Sequence, residues 1–253
     1  MKRSLQLRKR FFALLLVLGL GMGTAFASDF SAVCTTGQTL YYNIIDATNH
    51  YVEITYPGTL GNLWGGYEKP TGNIILPTSA TYNDITYTVT KIGDYAFEYC
   101  SGLTGSLNIP DPVVSIGISA FEYCSGFTGN LTIPNSVTTI GDYAFNYCSG
   151  FTGGLTIPNS VTAIGVAVFN NCGGFTGNLT IPNSVTKIGF AAFQACRGFT
   201  GDLTIPNSVT EIGAFAFMNC LGFTGSLIIG DSVTKIDSCA FTQCVNFTGT
   251  LTI

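Results

Sequence analysis

The chain has 253 residues, 46% of them hydrophobic and only 9% charged, with 31 glycines; this excludes a helical bundle rich in Lys and Glu and favours a thin structure built from tight turns. Five of its ten basic residues fall in the first ten positions, so beyond residue 27 five Lys and Arg face 14 Asp and Glu, a formal charge of −9. An acidic surface without a basic stripe repels phosphate backbones and anionic lipid, which argues against nucleic acid and membrane surfaces as partners.

Residues 1–27 read as a secretory signal peptide. Lys2, Arg3, Arg8, Lys9 and Arg10 form a basic start, Phe11 to Leu20 an apolar core, and Ala25-Phe26-Ala27 a cleavage site before Ser28. The apolar run is well short of the roughly 20 residues that span a bilayer. Export, to the medium or the cell surface, is the expectation.

Residues 28–86 read as a small β-rich N-terminal cap. LYYNIID (40–46) and HYVEITY (50–56), separated by Ala47-Thr48-Asn49, carry a hairpin signature. Trp64, the only Trp, lies in the Gly-rich stretch 61–72 and reads as packing, although a Trp can also stack on a sugar. NIILP (73–77) is expected to add one more short strand, and YNDITYTVT (82–90) leads onward.

Residues 87–253 are an array of seven 24-residue units. Cys100, Cys124, Cys148, Cys172, Cys196, Cys220 and Cys244 are spaced by 24, as are columns running from Phe97 to Phe241, Ile92 to Ile236 and Leu107 to Leu251. A period of this length without insertions is the signature of a solenoid. Within one unit, Leu131-Thr132-Ile133 alternates as a short strand with Thr132 outward, and Pro134-Asn135-Ser136 turns the chain. Val137 and Ile140 re-enter the core, and Asp142 to Cys148 is expected to make one helical or 3-10 turn that buries Ala144, Phe145 and Cys148. The fold class is therefore an α/β repeat solenoid with a parallel sheet of short strands on one side and short helical turns on the other. The chain stops within a strand at Leu251-Thr252-Ile253. Truncation there is expected, with self-association through the open edge as the alternative.

Leu131, Ile133-Pro134, Val137, Ile140-Gly141, Ala144-Phe145 and Cys148 together resemble the BspA-like class of leucine-rich repeats, found in bacterial surface and secreted proteins. The resemblance covers about 165 residues, with one residue more between Phe151 and Leu155 than the commonest 23-residue form. It implies a right-handed solenoid and a role in adhesion to host matrix proteins or other cells.

The cysteine column reads as a ladder of buried, reduced thiols. In-register side chains on neighbouring rungs hold their Cβ atoms about 4.8 Å apart, longer than the ~3.8 Å of a disulfide. No metal site is expected, since paired Cys-x-x-Cys spacing is lacking and His50 is the only His. Nor does a phosphate-cradling Gly motif call for a cofactor. Catalysis is not expected: His50 reads as a turn residue, and the carboxylates of Glu98 and Glu122 share a column that continues as Asn146, Asn170 and Gln194, read as a solvated helical face.

Two surface columns remain as binding candidates. Thr132, Thr156, Thr180 and Thr204 form a polar ladder on the sheet, and Tyr99, Tyr123 and Tyr147, with Tyr95 and Tyr143 nearby, an aromatic cluster on the opposite side. Weakly charged aromatic patches suit protein interfaces and also sugar stacking. In the unit 131–154 only Thr132, Tyr143, Asn146 and Tyr147 are left free by the core. A protein ligand, from the extracellular matrix or a cell surface, is the first expectation and a glycan the second.

Overall fold

In the computed structural model, which describes residues 28–253, a small mixed sheet leads into a stack of rungs. The expected signal peptide, residues 1–27, lies outside the described residues. Strands β1 (Phe30–Val33), β2 (Thr39–Asp46) and β3 (Tyr51–Thr55) pair antiparallel in that order. Asp46 closes the β2–β3 turn, its Oδ1 accepting the N–H of Thr48 and of Asn49, each at 2.9 Å. His50 follows in this turn with φ 57°.

Strands β4 (Gly72–Asn73), β5 (Ser79–Tyr82) and β6 (Ile85–Ile92) complete the opening region. The strand expected at 73–77 shortens to β4, which pairs in parallel with Leu103–Thr104. Ile74 and Leu76 nevertheless face the core, so the segment behaves as an incomplete rung beneath the first full one. β6 pairs antiparallel with β5, and in parallel with β3 on one side and Ser115–Ile116 on the other. The opening sheet thus continues without a break into the array.

The array is a parallel-strand solenoid held by three ladders, where the sequence predicts one sheet. The first ladder is the expected one: Leu131–Thr132 pairs with Leu155–Thr156, and Leu203–Ile205 with Leu227–Ile229, with Leu131 and Ile133 buried and Thr132 exposed. The second was not anticipated. Ser115–Ile116 pairs with Thr139–Ile140, and further on Ala163–Ile164, Lys187–Ile188, Glu211–Ile212 and Lys235–Ile236 pair in sequence. Its isoleucines from Ile116 to Ile212 are buried against an exposed or half-exposed neighbour, which is a strand pattern only two residues long, while Ile236 on the last rung is exposed.

The third ladder corrects the expected helical turn. No helix, α or 3-10, occurs among the described residues. Residues four apart in each rung, such as Tyr143 and Tyr147, hold φ of 61° and 57°, and every rung from Tyr95 and Tyr99 to Cys239 and Gln243 repeats the pair. A left-handed residue breaks a right-handed helix. The freed N–H groups instead reach the next rung: Tyr143 donates to Val166 O at 2.9 Å, Phe145 to Val168 O at 3.0 Å and Tyr147 to Asn170 O at 2.8 Å. The intervening groups close tight local turns, as when Asn146 N–H donates to Tyr143 O and Cys148 N–H to Phe145 O.

The core follows the columns. Rings from Phe97 to Phe241 stack with centroids 5.2–5.7 Å apart, and a second stack runs from Phe127 to Phe247 at 5.3–6.1 Å. Gly150 sits where an added Cβ would collide with the backbone carbonyls of Ser125 and Phe127, so the rungs approach too closely there for any larger residue. In the cysteine column, Cys100, Cys124, Cys148, Cys172, Cys196 and Cys220 are buried and Cys244 is half-buried, all as free thiols. Its thiols have a use beyond filling space. Cys124 Sγ donates to Phe97 O and Cys148 Sγ to Phe121 O, both at 3.0 Å, on carbonyls that already accept Cys100 N–H and Cys124 N–H.

Burial pushes the Cys100 thiol up to about 12 and those of Cys124, Cys148, Cys172, Cys196 and Cys220 well above the ordinary value of 9. Above pH 9 the unfolded chain therefore releases thiol protons that the folded chain retains, and stability is lost as pH rises. Chemical denaturation between neutrality and alkaline pH is expected to show this fall, less steep in Cys148→Ala than in the parent. Unreduced, denatured protein is expected to titrate at least the seven column thiols. Three or more bridges among them would contradict the ladder.

Candidate functional site

The tyrosine cluster is created by the same backbone that abolishes the helix. Tyr95, Tyr99, Tyr123, Tyr143 and Tyr147 all occupy left-handed positions, with φ between 57° and 61°. For a bulky residue this costs roughly 1–2 kcal/mol apiece. The alternation of hand sends Ala144, Phe145 and Cys148 into the core and leaves Tyr143 and Tyr147 39% and 40% exposed.

Tyr99, Tyr123 and Tyr147 are brought into one stack. The ring centroids are 4.7 Å apart at both steps, with the planes inclined by 9° and 13°. Both faces of Tyr123 are therefore covered, and burial followed by the fields of Tyr99 and Tyr147 raises its phenol pKa. The outer side of Tyr99 is taken by Lys69, whose Nζ lies 5.5 Å from the ring centroid and donates to Tyr99 O at 3.2 Å. What the stack offers outward is a row of ring edges and hydroxyls. Tyr95 stands apart, edge-on to Tyr56 at 6.3 Å, and Tyr143 is separate from both. Lys69 and Tyr56 were not picked out from the sequence, because they belong to the cap and share no column with the tyrosines.

The polar column behind the stack is not the solvated helical face expected of it. Glu98 and Glu122 are half-buried, and Asn146, read as free, is only 5% exposed. Asn146 Nδ2 donates to Glu122 Oε1 at 2.7 Å, while Asn146 Oδ1 has no donor. Burial, then the neighbouring Glu122, raise the Glu98 carboxyl pKa, with Lys69 opposing.

The Thr132, Thr156, Thr180 and Thr204 side chains are all exposed, in the Leu-Thr ladder rather than beside the tyrosines. Thr132 faces Thr156 in register, Thr204 faces Ile228, and Thr180 lies outside the assigned strands. Their hydroxyls have no partner among the described residues. Trp64 is packed, 8% exposed and edge-on to Tyr41 at 6.2 Å. It nonetheless helps to line a groove of about 520 Å³ between the cap and the first rung, with Asn62, Lys69, Tyr95, Glu98 and Tyr99. His50 is an exposed turn residue edge-on to Tyr87. No group of three or more His, Cys, Asp or Glu able to hold a metal is found among the described residues.

Residues 77–200 and 175–251 match the BspA type leucine-rich repeat region, in 6 copies, so the chain belongs to the BspA-type leucine-rich repeat family. Among solved structures, the leucine-rich repeat protein of T. pallidum (TpLRR) is similar at 21% identity and TM-score 0.62, over 90% of this chain and 91% of that one. A leucine-rich repeat protein from Bacteroides ovatus is similar at 24% identity and TM-score 0.51, over 83% of this chain and 51% of that one. The pneumococcal vaccine antigen PcpA is similar at 14% identity and TM-score 0.50, over 90% and 71%. These likenesses establish the fold. Among curated protein sequences none matches significantly.

The raised Glu98 carboxyl has a consequence that can be measured. Folded protein holds this proton more tightly than unfolded protein, so stability falls as pH rises from 4.5 through the raised value. Glu98→Gln removes that contribution. Thermal unfolding of the variant is expected to lose less stability than the parent over this window, and a parallel pH profile in the two proteins would show Glu98 to be uncoupled.

Proposed function

We propose that the protein is an exported or cell-surface repeat scaffold that binds a protein partner through the tyrosine face of its first three rungs. The single observation that carries this reading is the Tyr99–Tyr123–Tyr147 stack, three large aromatic side chains held rigid and partly exposed at 4.7 Å intervals. Rigid tyrosines with few rotatable bonds lose little entropy on binding, and tyrosine is enriched where interface energy concentrates. The scaffold's share in this function is positional and requires no catalytic group. Partners of the class expected from the sequence are extracellular-matrix or cell-surface proteins, reached after export.

Stacking also weighs one ligand class against another. A sugar packs its face on an aromatic face, and Tyr123 has none free. Edges and hydroxyls suit the mixed apolar and hydrogen-bonding surface of a protein. The glycan reading keeps one specific support, the groove of about 520 Å³ lined by Asn62, Trp64, Lys69, Tyr95, Glu98 and Tyr99. The Thr132, Thr156, Thr180 and Thr204 ladder is a second flat polar surface, and a partner that spans several rungs would also meet it.

Surface plasmon resonance against a panel of purified matrix proteins, with a glycan array in parallel, tests the reading. Replacing Tyr99, Tyr123 and Tyr147 together by Ala is expected to weaken protein binding at least about tenfold, a loss on the order of 1.4 kcal/mol. Replacing the four threonines by Ala is expected to have a smaller effect. A glycan signal lost in the tyrosine variant, without any protein signal, would replace the first reading by the second.

A further inference from the structure

The groove of about 520 Å³ between the cap and the first rung falls within the range of roughly 300–1,000 Å³ usual for small-ligand sites. One wall is the segment 58–67, whose backbone closes largely on itself. Gly58 N–H donates to Leu63 O at 2.7 Å, Asn62 N–H to Thr59 O at 2.8 Å and Tyr67 N–H to Trp64 O at 2.9 Å. The wall is therefore formed before any ligand arrives, and a preformed site loses little entropy on binding. The first rung contributes Tyr95, Glu98 and Tyr99.

The groove holds two opposite charges that do not meet. Lys69 Nζ donates to Tyr99 O at 3.2 Å and lies 5.5 Å from the Tyr99 ring centroid. An ammonium carries three donors, so this contact leaves others unused. The Glu98 carboxylate accepts no hydrogen bond among the described residues and is not sealed from solvent. Burial, then Glu122, raise its pKa and Lys69 pulls it down, so the two charges sense each other. Yet the ion pairs among the described residues are Lys91–Glu53, Lys187–Glu211 and Lys235–Asp237, and Lys69–Glu98 is not one of them.

These charges select the occupant. An apolar plug would desolvate both and pair neither. A cation would meet Lys69, and an anion would meet Glu98 in a chain where, beyond residue 27, five Lys and Arg face 14 Asp and Glu. A neutral ligand with two adjacent hydroxyls meets neither objection, because one hydroxyl donates to the carboxylate while the other accepts from the ammonium. Leu60, Trp64 and Tyr95 supply apolar walls for the C–H groups of the same molecule.

We propose that the groove is a sugar subsite for one neutral pyranose, whose adjacent hydroxyls bridge Lys69 Nζ and the Glu98 carboxylate. The inference goes beyond the protein-binding reading, since of Tyr99, Tyr123 and Tyr147 only Tyr99 lines the groove. Such a ring is carried either by a glycosylated partner protein or by a free polysaccharide, and the same contacts serve both.

Trp64 is the only tryptophan and lines the groove, so its emission reports occupancy directly. The full chain is titrated with glucose, galactose, mannose and N-acetylglucosamine, and with glucuronate as an anionic counterpart. At least one neutral sugar is expected to change the emission saturably, with a dissociation constant on the order of 1 mM. Glucuronate is expected to bind several-fold more weakly. Lys69→Met and Glu98→Gln are each expected to weaken the neutral sugar about tenfold, whereas Lys187→Met, several rungs away, leaves it unchanged. Circular dichroism separates loss of binding from loss of fold, and two independent charge variants keep the test decisive if one fails to fold. No saturable response to any neutral sugar, glucuronate binding as tightly as the best of them, or an affinity unchanged in both charge variants would each overturn the proposal.

Two further arms distinguish the sources, and either result supports the subsite. A matrix protein that loses affinity on enzymatic deglycosylation, for the parent chain but not for Lys69→Met, carries the ring itself. Binding of a free neutral polysaccharide, with no effect of deglycosylation, assigns the ring to the polysaccharide. If no sugar binds while matrix-protein binding still requires Tyr123 and Tyr147, the protein-binding reading stands and the sugar subsite alone falls. A sugar response without any matrix-protein binding keeps the subsite and removes that reading.

Discussion

Everything in the array depends on a pair of residues, four apart, held in the left-handed backbone conformation in every rung. That pair prevents the segment from Asp142 to Cys148 from coiling on itself, and so leaves N–H groups such as those of Tyr143, Phe145 and Tyr147 free to bind the next rung. A rung alone has no partner for them. Stacking satisfies these donors, and burial of the phenylalanine and cysteine columns accompanies it, which is why the unit is stable only as a repeat. The same geometry decides the surface, because the left-handed positions are the ones whose side chains the core does not claim.

Much of this was legible before any coordinates. A spacing of 24 fixed the columns, and apolar identity alone separated Leu131, Ile133, Val137, Ile140, Phe145 and Cys148 as core. The thiol ladder followed from the geometry that in-register Cβ atoms must have, since their spacing is longer than a disulfide needs. Conformation of the 142–148 segment was not legible. Left-handed residues normally announce themselves as Gly or Asn, whereas here the positions hold Tyr, Ser, Ala, Phe and Cys at one site of the pair and Tyr, Asn, Ala and Gln at the other. An apolar spacing compatible with a helical turn concealed a series of tight turns. The Ile ladder was missed for a related reason, since two residues per rung are too few to display a strand's alternation.

The candidate site was legible as a column but not as a surface. Position alone put Tyr99, Tyr123 and Tyr147 together, and the family to which the chain belongs made a binding role the natural expectation. Stacking, which closes ring faces and leaves edges, depends on side-chain geometry that no spacing reveals. Lys69 enters from outside the repeat, and Asn146 is buried because a carboxylate on the previous rung holds its amide. The scaffold is nearly uniform along its length, yet its surface is not. Aromatic and acidic side chains collect on the early rungs, while the later ones carry Asn171, Ala195, Asn219 and Gln243 in the tyrosine column and ion pairs such as Lys187–Glu211. Function in a repeat protein belongs where the repeats stop being identical.

The central claim is that the tyrosine stack is the surface a partner covers. Radical footprinting of the free chain, and of the chain bound to a matrix protein that retains it, reads that coverage at single side chains. Tyr99, Tyr123 and Tyr147 are predicted to lose reactivity on binding, while Tyr51 and Tyr82, 40% and 37% exposed in the cap, keep theirs. Unchanged reactivity along the stack, with protection confined to other surfaces, would contradict the account.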